Sequence, residues 1–277
     1  MKTLAGIVVY QPDLNRLKEN IDAIIDQVDK VLLFANGSDT YLQIIYLQKK
    51  YNSIEIIQSD RNLGIAFGLK SIMDYAAKNS YDWVYTIDQD SVSQPGLIAA
   101  YTRDIDLPNV GILTCNIIDR NFNQNNGFSN NEKYREVEKC ITAGSFMNVA
   151  AYSQTDGYDS RMFIDGVDWD ICYNFRRHGY KIYKINFYGV LQEVGHGKNV
   201  KLLWKDYITY GESPLRNYYG ARNDIYLAKK YPEYVSKGKT LVREIRTEVM
   251  ILLYENQKPQ KIKNRWKGIY EGLKWHC

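Results

Sequence analysis

Two acidic clusters carry the chemistry that this 277-residue sequence offers. The first, Asp88-Gln89-Asp90, comes right after the apolar run Trp83-Val84-Tyr85-Thr86-Ile87. Carboxylates one residue apart can hold a hard divalent cation, directly or through water, leaving its other positions to phosphate oxygens. An acidic turn closing a strand would read the same way, and the strand context favours the metal reading. The second cluster is Asp165, Asp168 and Asp170, ahead of a short helix with Ile171 and Phe175 on its apolar side and Gly179 at its end. Acids at a helix start are stabilising in themselves. One that faces a pocket can instead deprotonate a hydroxyl. Three-residue spacing lets Asp165 and Asp168 share a side while Asp170 points elsewhere, so either of the first two can be the base.

The elements that must position these acids follow from periodicity. Leu4 to Val9, Val31 to Phe34, Ile54 to Gln58 and Trp83 to Ile87 read as strands, with helical spacing in Leu14 to Val28, Tyr41 to Lys50 and Ile65 to Ala77 between them. Such a βαβαβαβ order predicts an α/β fold: a mostly parallel central sheet, helices on both faces, and a ligand site at the carboxyl ends of the strands. Those ends are polar: Tyr10-Gln11-Pro12, Asn36-Gly37-Ser38-Asp39, Ser59 to Gly64, and Asp88-Gln89-Asp90. Asn121 to Asn131, rich in Asn and Gly, predicts a mobile surface loop. From about Ser213 the chain turns helical and tyrosine-rich, so the expected division is one domain over residues 1–228 and a helical extension over 229–277.

The 45% hydrophobic content supports a core. No apolar run reaches the roughly 18 to 20 residues of a membrane span, and Leu4 to Tyr10 is too short for a signal peptide, so the expected location is cytoplasmic. Cys115, Cys140, Cys172 and Cys277 lack CxxC or zinc spacing; neither a structural zinc nor a disulfide framework is expected, and the first three read as core thiols. Residues 229–277 hold 12 Lys and Arg against 5 Glu, a net +7, which leaves 24 basic against 27 acidic residues, or −3, in 1–228. With no nucleic-acid motif beside it, that bias points to an anionic membrane surface. Within the tail, Ile262, Trp266, Ile269, Tyr270 and Leu273 fall at helical spacing, surrounded by Lys261, Lys263, Arg265, Lys267 and Lys274. Such a basic amphipathic helix either lies on a bilayer or packs on the domain with its basic face in solvent.

Taken in order, Ile7-Val8-Val9-Tyr10-Gln11-Pro12, Asn36-Gly37-Ser38, Arg61-Asn62-Leu63-Gly64-Ile65-Ala66, Asp88-Gln89-Asp90-Ser91, Gly157-Tyr158-Asp159 and Phe163-Ile164-Asp165-Gly166-Val167-Asp168 resemble the inverting family 2 glycosyltransferases of the GT-A fold. Ser213-Pro214-Leu215-Arg216-Asn217-Tyr218-Tyr219 and Arg222-Asn223 extend the likeness toward the rhamnosyltransferase branch of O-antigen and capsule assembly, over about residues 4–230. The resemblance implies transfer of L-rhamnose from dTDP-rhamnose to a lipid-linked glycan, with Mg or Mn, at the inner face of the cell membrane. It implies donor contacts from Tyr10, Gln11, Asn36, Gly37, Asn62, Gly64, Asp88 and Gln89, with Asp90 as principal metal ligand, Asp88 near the metal or ribose, and Asp168 as base. Lys70 could reach a phosphate or stand in solvent, and Arg216 and Arg222 could clamp phosphate or pack a helix.

The sequence also departs from that pattern. Ala35 stands where relatives carry Asp, Lys70 where Asn is frequent, and Gln192 where His precedes Glu-x-Gly, with His196 four residues on as a substitute metal ligand. A UDP-hexose or UDP-galactofuranose donor is the nearest alternative. A sugar-nucleotide pyrophosphorylase would need a Gly-rich basic loop after the first strand, where Tyr10-Gln11-Pro12-Asp13 stands. A non-catalytic binding module would have no use for the acids at 88, 90, 165, 168 and 170.

Overall fold

The computed structural model of the chain describes residues 1–119, 128–129, 132–192, 198–202, 205–209 and 211–276. His196 and most of the expected loop from Asn121 to Asn131 lie outside the described residues.

The first half follows the expected alternation: β1 (Thr3–Val9), α1 (Leu14–Ile24), β2 (Lys30–Asn36), α2 (Ser38–Ile44), α3 (Tyr46–Lys50), β3 (Ile54–Ser59), α4 (Ile65–Lys78) and β4 (Trp83–Thr86). The single helix expected over 41–50 is two, divided at Ile45. Asp13 caps α1 by accepting from the backbone N–H groups of Asn15 (2.9 Å) and Arg16 (3.2 Å). β1 pairs in parallel with β2 and β4, and β2 with β3. Two glycines set α4 against this sheet: a Cβ on Gly6 would stand 2.4 Å from Ile72, and one on Gly68 2.8 Å from Val8.

The chain continues through β5 (Val92–Ser93), α5 (Leu97–Thr102), β6 (Val110–Asp119), β7 (Tyr134–Val137), β8 (Ser145–Asn148), α6 (Val149–Tyr152), α7 (Val167–Arg177) and β9 (Lys181–Gln192). β8 runs antiparallel to β4 and β6, β6 parallel to β9, and β5 and β7 antiparallel to β9. Among the described residues the main sheet therefore runs β3-β2-β1-β4-β8-β6-β9-β5, with β7 also on β9. Parallel pairing holds for the first four strands, and mixed pairing follows. The core centres on Ile7, Leu17, Ile21, Tyr85, Tyr101 and Phe146, with the Phe146 ring stacked between Trp83 (4.9 Å) and Tyr101 (5.3 Å).

The chain forms two compact units, Met1–Arg161 with Asp168–Glu193, and Met162–Val167 with Val194–Cys277. The second holds the antiparallel hairpin of β10 (Lys198–Leu202) and β11 (Lys205–Thr209), then α8 (Pro214–Lys230), α9 (Lys237–Tyr254) and α10 (Lys258–Lys274). These helices meet through polar groups. Arg265 pairs with Glu244 at 2.6 Å, with 6% and 2% of the two side chains exposed, Arg243 pairs with Asp224 at 2.7 Å, and Lys261 with Glu255 at 2.7 Å. Gly268 and Gly272 bring α10 onto the α8 backbone, where an added Cβ would lie 2.3 Å from Tyr218 O and 2.5 Å from Arg222 O. Lys229 Nζ closes the end of α10 by donating to the carbonyls of Leu273 (2.6 Å) and Gly272 (3.3 Å).

Met250 and Ile251 on α9 and Tyr226 and Leu227 on α8 are buried, but a set of large apolar side chains faces outward. Leu241, Val242, Ile245, Leu252 and Leu253 on α9, and Trp266, Tyr270 and Leu273 on α10, are exposed. This corrects the sequence reading of the tail in one respect. Lys261 and Arg265, expected among the solvated basic residues, are buried, because the glycine face of α10 meets α8.

Candidate active site

At the carboxyl end of β4 the chain turns through Ile87 into Asp88. Asn20 on α1 donates through Nδ2 to the Asp88 carbonyl (2.6 Å), which fixes the turn. Gln89 closes the loops after β1 and β4 on each other: its Oε1 accepts from Tyr10 N (2.9 Å) and its Nε2 donates to Tyr10 O (3.2 Å). Gln192, at the end of β9, donates from Nε2 to Asp88 Oδ2 (3.0 Å). Burial, and then the negative charges of Asp168 and Asp90, push the Asp88 carboxyl up to about 7 against that hydrogen bond. Asp88 and Asp168, 80 residues apart in sequence, thus act on one another at one end of the sheet.

Asp168 lies in the first turn of α7, and its Oδ1 accepts from Thr142 twice, from the backbone N (3.0 Å) and from Oγ1 (2.5 Å). Two donors on one oxygen fix the carboxylate plane. Asp170, two residues on, is fully buried. Asp165 belongs to the second unit and has a charged partner there, Arg216 Nη2, at 2.5 Å. Its backbone is left-handed (φ +66°), as are Phe163 (φ +64°) and Gly166 (φ +75°). Two non-glycine residues in that region are strained unless the surroundings over-determine them. Here Asn223 Nδ2 lies 2.9, 2.8 and 2.7 Å from the carbonyls of Met162, Ile164 and Asp165, Arg222 Nη2 donates to Met162 O (2.9 Å), and Phe163 stacks on Tyr219 at 4.7 Å. The left-handed turn breaks the helical lead-in that the three-residue spacing of Asp165 and Asp168 presumed.

The remaining predicted residues separate into groups. Asn36, buried at the end of β2, donates to Asn62 Oδ1 (3.0 Å) and accepts from Leu63 N (2.8 Å), while Asn62 Oδ1 also accepts from Gly64 N (2.9 Å). Both asparagines therefore brace the loops after β2 and β3, where Gly37 (φ +126°) and Gly64 (φ +86°) make turns that favour glycine. Lys70 is on α4 in an ion pair with Asp74 (2.6 Å). Arg222 is buried with its guanidinium 4.0 Å from the Trp275 ring and 4.7 Å from Tyr219, which is the packing alternative read from the sequence.

The fit for a divalent cation rests on Asp88 and Asp90. Crowded carboxylates are hard oxygen donors, and the raised pKa of Asp88 reflects burial first and then neighbouring negative charge that a cation would relieve. Gln192 Oε1 is buried without a hydrogen-bond partner among the described residues. Among the described residues no three acidic, thiol or imidazole groups converge as a ligand set, so the rest of a shell would come from substrate oxygens and water.

Sequence reasoning missed Thr142 and Asn20, which act through hydrogen bonds to distant segments that no spacing announces. It also missed a thiol pair: Cys140 and Cys172, 32 residues apart and read as separate core thiols, have their Sγ atoms 3.9 Å apart. Cys172 and Cys115 are buried as expected, but Cys140 is only half-buried.

The profile of the family described as Glycosyl transferase family 2 matches residues 5–168. No curated protein matches the sequence. Among solved structures, S. aureus TarS resembles the chain with 14% identity and a TM-score of 0.58 over 99% of this chain and 44% of that one. A shorter S. aureus TarS, in complex with UDP-GlcNAc, matches with 13% identity and a TM-score of 0.59 over 95% of this chain and 79% of its own. GalNAc-T7 with UDP, GalNAc and Mn2+ matches with 11% identity and a TM-score of 0.64, over 99% of this chain and 56% of its own. The chain thus spans less than half of TarS, and at these identities the likeness is one of fold, the GT-A arrangement expected from the sequence.

Proposed function

The chain belongs to glycosyl transferase family 2, and from that premise we propose that it transfers a sugar from a nucleoside-diphosphate donor to an acceptor hydroxyl, with inversion at the anomeric carbon. The observation that carries the proposal is the electrostatic coupling of Asp88, Asp90 and Asp168 at the sheet's carboxyl end. Asp88 and Asp90 would hold a Mg or Mn ion, which would supply positive charge to neutralise the donor pyrophosphate. The Tyr10-Gln89 contact and the Asn36-Asn62 brace shape the loops that take the base and ribose. Asp168, oriented by Thr142, receives the acceptor hydroxyl's proton as the oxygen attacks.

The finer reading is dTDP-rhamnose as donor, on the sequence resemblance, and a lipid-linked glycan as acceptor. A UDP-sugar is the second reading, favoured by the UDP in the GalNAc-T7 structure and the UDP-GlcNAc in TarS. The exposed apolar side chains of α9 and α10, set among the lysines and arginines of a +7 tail, suit a peripheral site on an anionic bilayer. No helix among the described residues is long and apolar enough to cross a membrane.

A panel of nucleotide sugars with and without Mn, read by thermal shift, identifies the donor, since a ligand of the native state raises Tm by mass action. Asp90→Ala is expected to lose transfer and to weaken donor binding. Transfer that persists unchanged in EDTA would sink the metal assignment.

A further inference from the structure

Two rungs join α7 to the loop before β8. On α7, Asp168 and Cys172 are four residues apart and share a side of the helix. On the loop, Thr142 meets Asp168, and Cys140, two residues before it, meets Cys172. The upper rung is the pair of hydrogen bonds from Thr142 to Asp168; the lower is the contact of Cys140 Sγ with Cys172 Sγ at 3.9 Å. The backbone already brackets the inner sulfur, since Cys140 N donates to Cys172 Sγ (3.4 Å) and that thiol lies 3.4 Å from Cys140 O. Closing the gap requires a shift of about 2 Å to reach bonding distance.

We propose that Cys140 and Cys172 are an oxidation site, forming a reversible disulfide that draws the Thr142 loop toward α7 and so displaces the carboxylate of Asp168. The functional half of this inference rests on the reading of Asp168 as the base. The chemical half does not. The two thiols differ in access: Cys140 is half-buried, whereas burial holds the Cys172 thiol well above its ordinary acidity range. Cys140 therefore meets the oxidant first. With hydrogen peroxide, the Cys140 thiolate attacks one peroxide oxygen, the O–O bond breaks, and hydroxide leaves and takes up a proton as water, giving a sulfenic acid. The sulfur of Cys172 then attacks the sulfenic sulfur; its proton and the sulfenic hydroxyl leave together as a second water, and the S–S bond forms. One peroxide is reduced to two waters while two thiols become one disulfide.

The consequence follows from spacing. The loop that carries Cys140 also carries both hydrogen-bond donors to Asp168, so a pull at Cys140 is felt two residues on. A carboxylate that must lie within hydrogen-bond reach of a hydroxyl tolerates little displacement.

The test uses the full chain with hydrogen peroxide, followed by blocking of residual thiols, proteolysis and peptide mass mapping. A peptide pair joining Cys140 to Cys172, lighter by two hydrogens and separated by dithiothreitol, is expected in the parent and in Cys115→Ser, and in neither Cys140→Ser nor Cys172→Ala. Over-oxidation of Cys140 with Cys172 still reduced, or a bridge to Cys115, overturns the site. For the functional half, oxidation is expected to lower transfer at least tenfold and dithiothreitol to restore it, with donor-induced thermal shift unchanged and Cys140→Ser indifferent to peroxide. Full transfer in the bridged protein overturns the coupling to Asp168. A chain with no transfer even when reduced overturns the proposed function while the mapping still decides the disulfide.

Discussion

The two units of this chain differ in how much charge they bury. The first packs aliphatic and aromatic side chains inside and sets its carboxylates at the strand ends, whereas the second adds buried arginine, lysine and glutamate to its apolar contacts and leaves several leucine, isoleucine and tryptophan side chains of α9 and α10 outward. The first arrangement is stabilised by apolar burial, which is non-directional and tolerant. The second depends on each charge having its partner, because an uncompensated buried charge costs far more than the pair contributes. Periodicity therefore means different things in different helices: it identifies the core side of α1 and α4, and the solvent side of α10. An exposed apolar stripe of this kind marks a surface that meets something else.

The largest expected effect tests the polar interior of the second unit. Arg265→Met leaves Glu244 and Asp224 facing each other with one guanidinium fewer, and a loss of about 3 to 5 kcal/mol is expected for breaking a buried pair. Chemical denaturation should then show the second unit melting early with the first unchanged. A variant as stable as the parent would mean that the charged interface is incidental and the comparison false.

Next in size is the mirror experiment at the strand ends. Asp168→Asn is expected to lower turnover by roughly 10²-fold, about 2.7 kcal/mol in barrier, with the melting temperature and donor affinity close to the parent's. Asp165→Asn, which loses its ion pair with Arg216, should cost less turnover and more stability of the second unit. If those outcomes were exchanged, Asp165 would be the base.

What the sequence made legible follows the same divide. The four strands, the polar loops at their ends, Asp88-Gln89-Asp90 and the α7 acids could all be read because strand alternation and helix caps are local rules. The Gln192 position could be singled out, though its hydrogen bond to Asp88 could not. In the second unit, spacing gave the α10 helix and its apolar stripe, but not which side is covered. That depends on Gly268 and Gly272, whose four-residue interval lets two backbones touch, and on the partners that Arg265 and Lys261 find on other segments. The thiol pair and the brace by Asn223 were hidden for the same reason: both join segments distant in sequence through one or two contacts.

A smaller effect comes from proton linkage in the polar interior. Burial and the neighbouring Asp224 raise Glu244 from 4.5 to about 8, and burial also raises Asp224, so the two acids hold a proton in the folded state that the unfolded chain has lost. The folded state then binds more protons than the unfolded one between about pH 4.5 and pH 8, and stability must fall as pH rises through that window. The melting temperature of the second unit is expected to drop gradually from about pH 5 to about pH 8, and Glu244→Gln to flatten the slope. A rise over that range would show that the acids are ionised and held by Arg243 and Arg265 alone.

The smallest effect on stability, and the one that most sharpens the comparison, belongs to the outward apolar side chains. Ile245 and Trp266 are 55% and 59% exposed, so replacing each by Glu removes little packing, and a change within about 0.5 kcal/mol is expected. If the stripe meets a bilayer, the same pair of substitutions should sharply lower binding to vesicles containing anionic lipid at low salt, where attraction of the basic tail is strongest. Deleting the tail would not separate these possibilities, because α10 packs its two glycines on α8 and its loss would uncover that helix. A double variant that folds like the parent, transfers to a soluble acceptor like the parent and no longer sediments with vesicles would assign the inverted packing to membrane contact. Unchanged sedimentation would assign the contact to the lysines alone, and a loss of folding would show that the stripe is covered by a partner within the protein's own assembly.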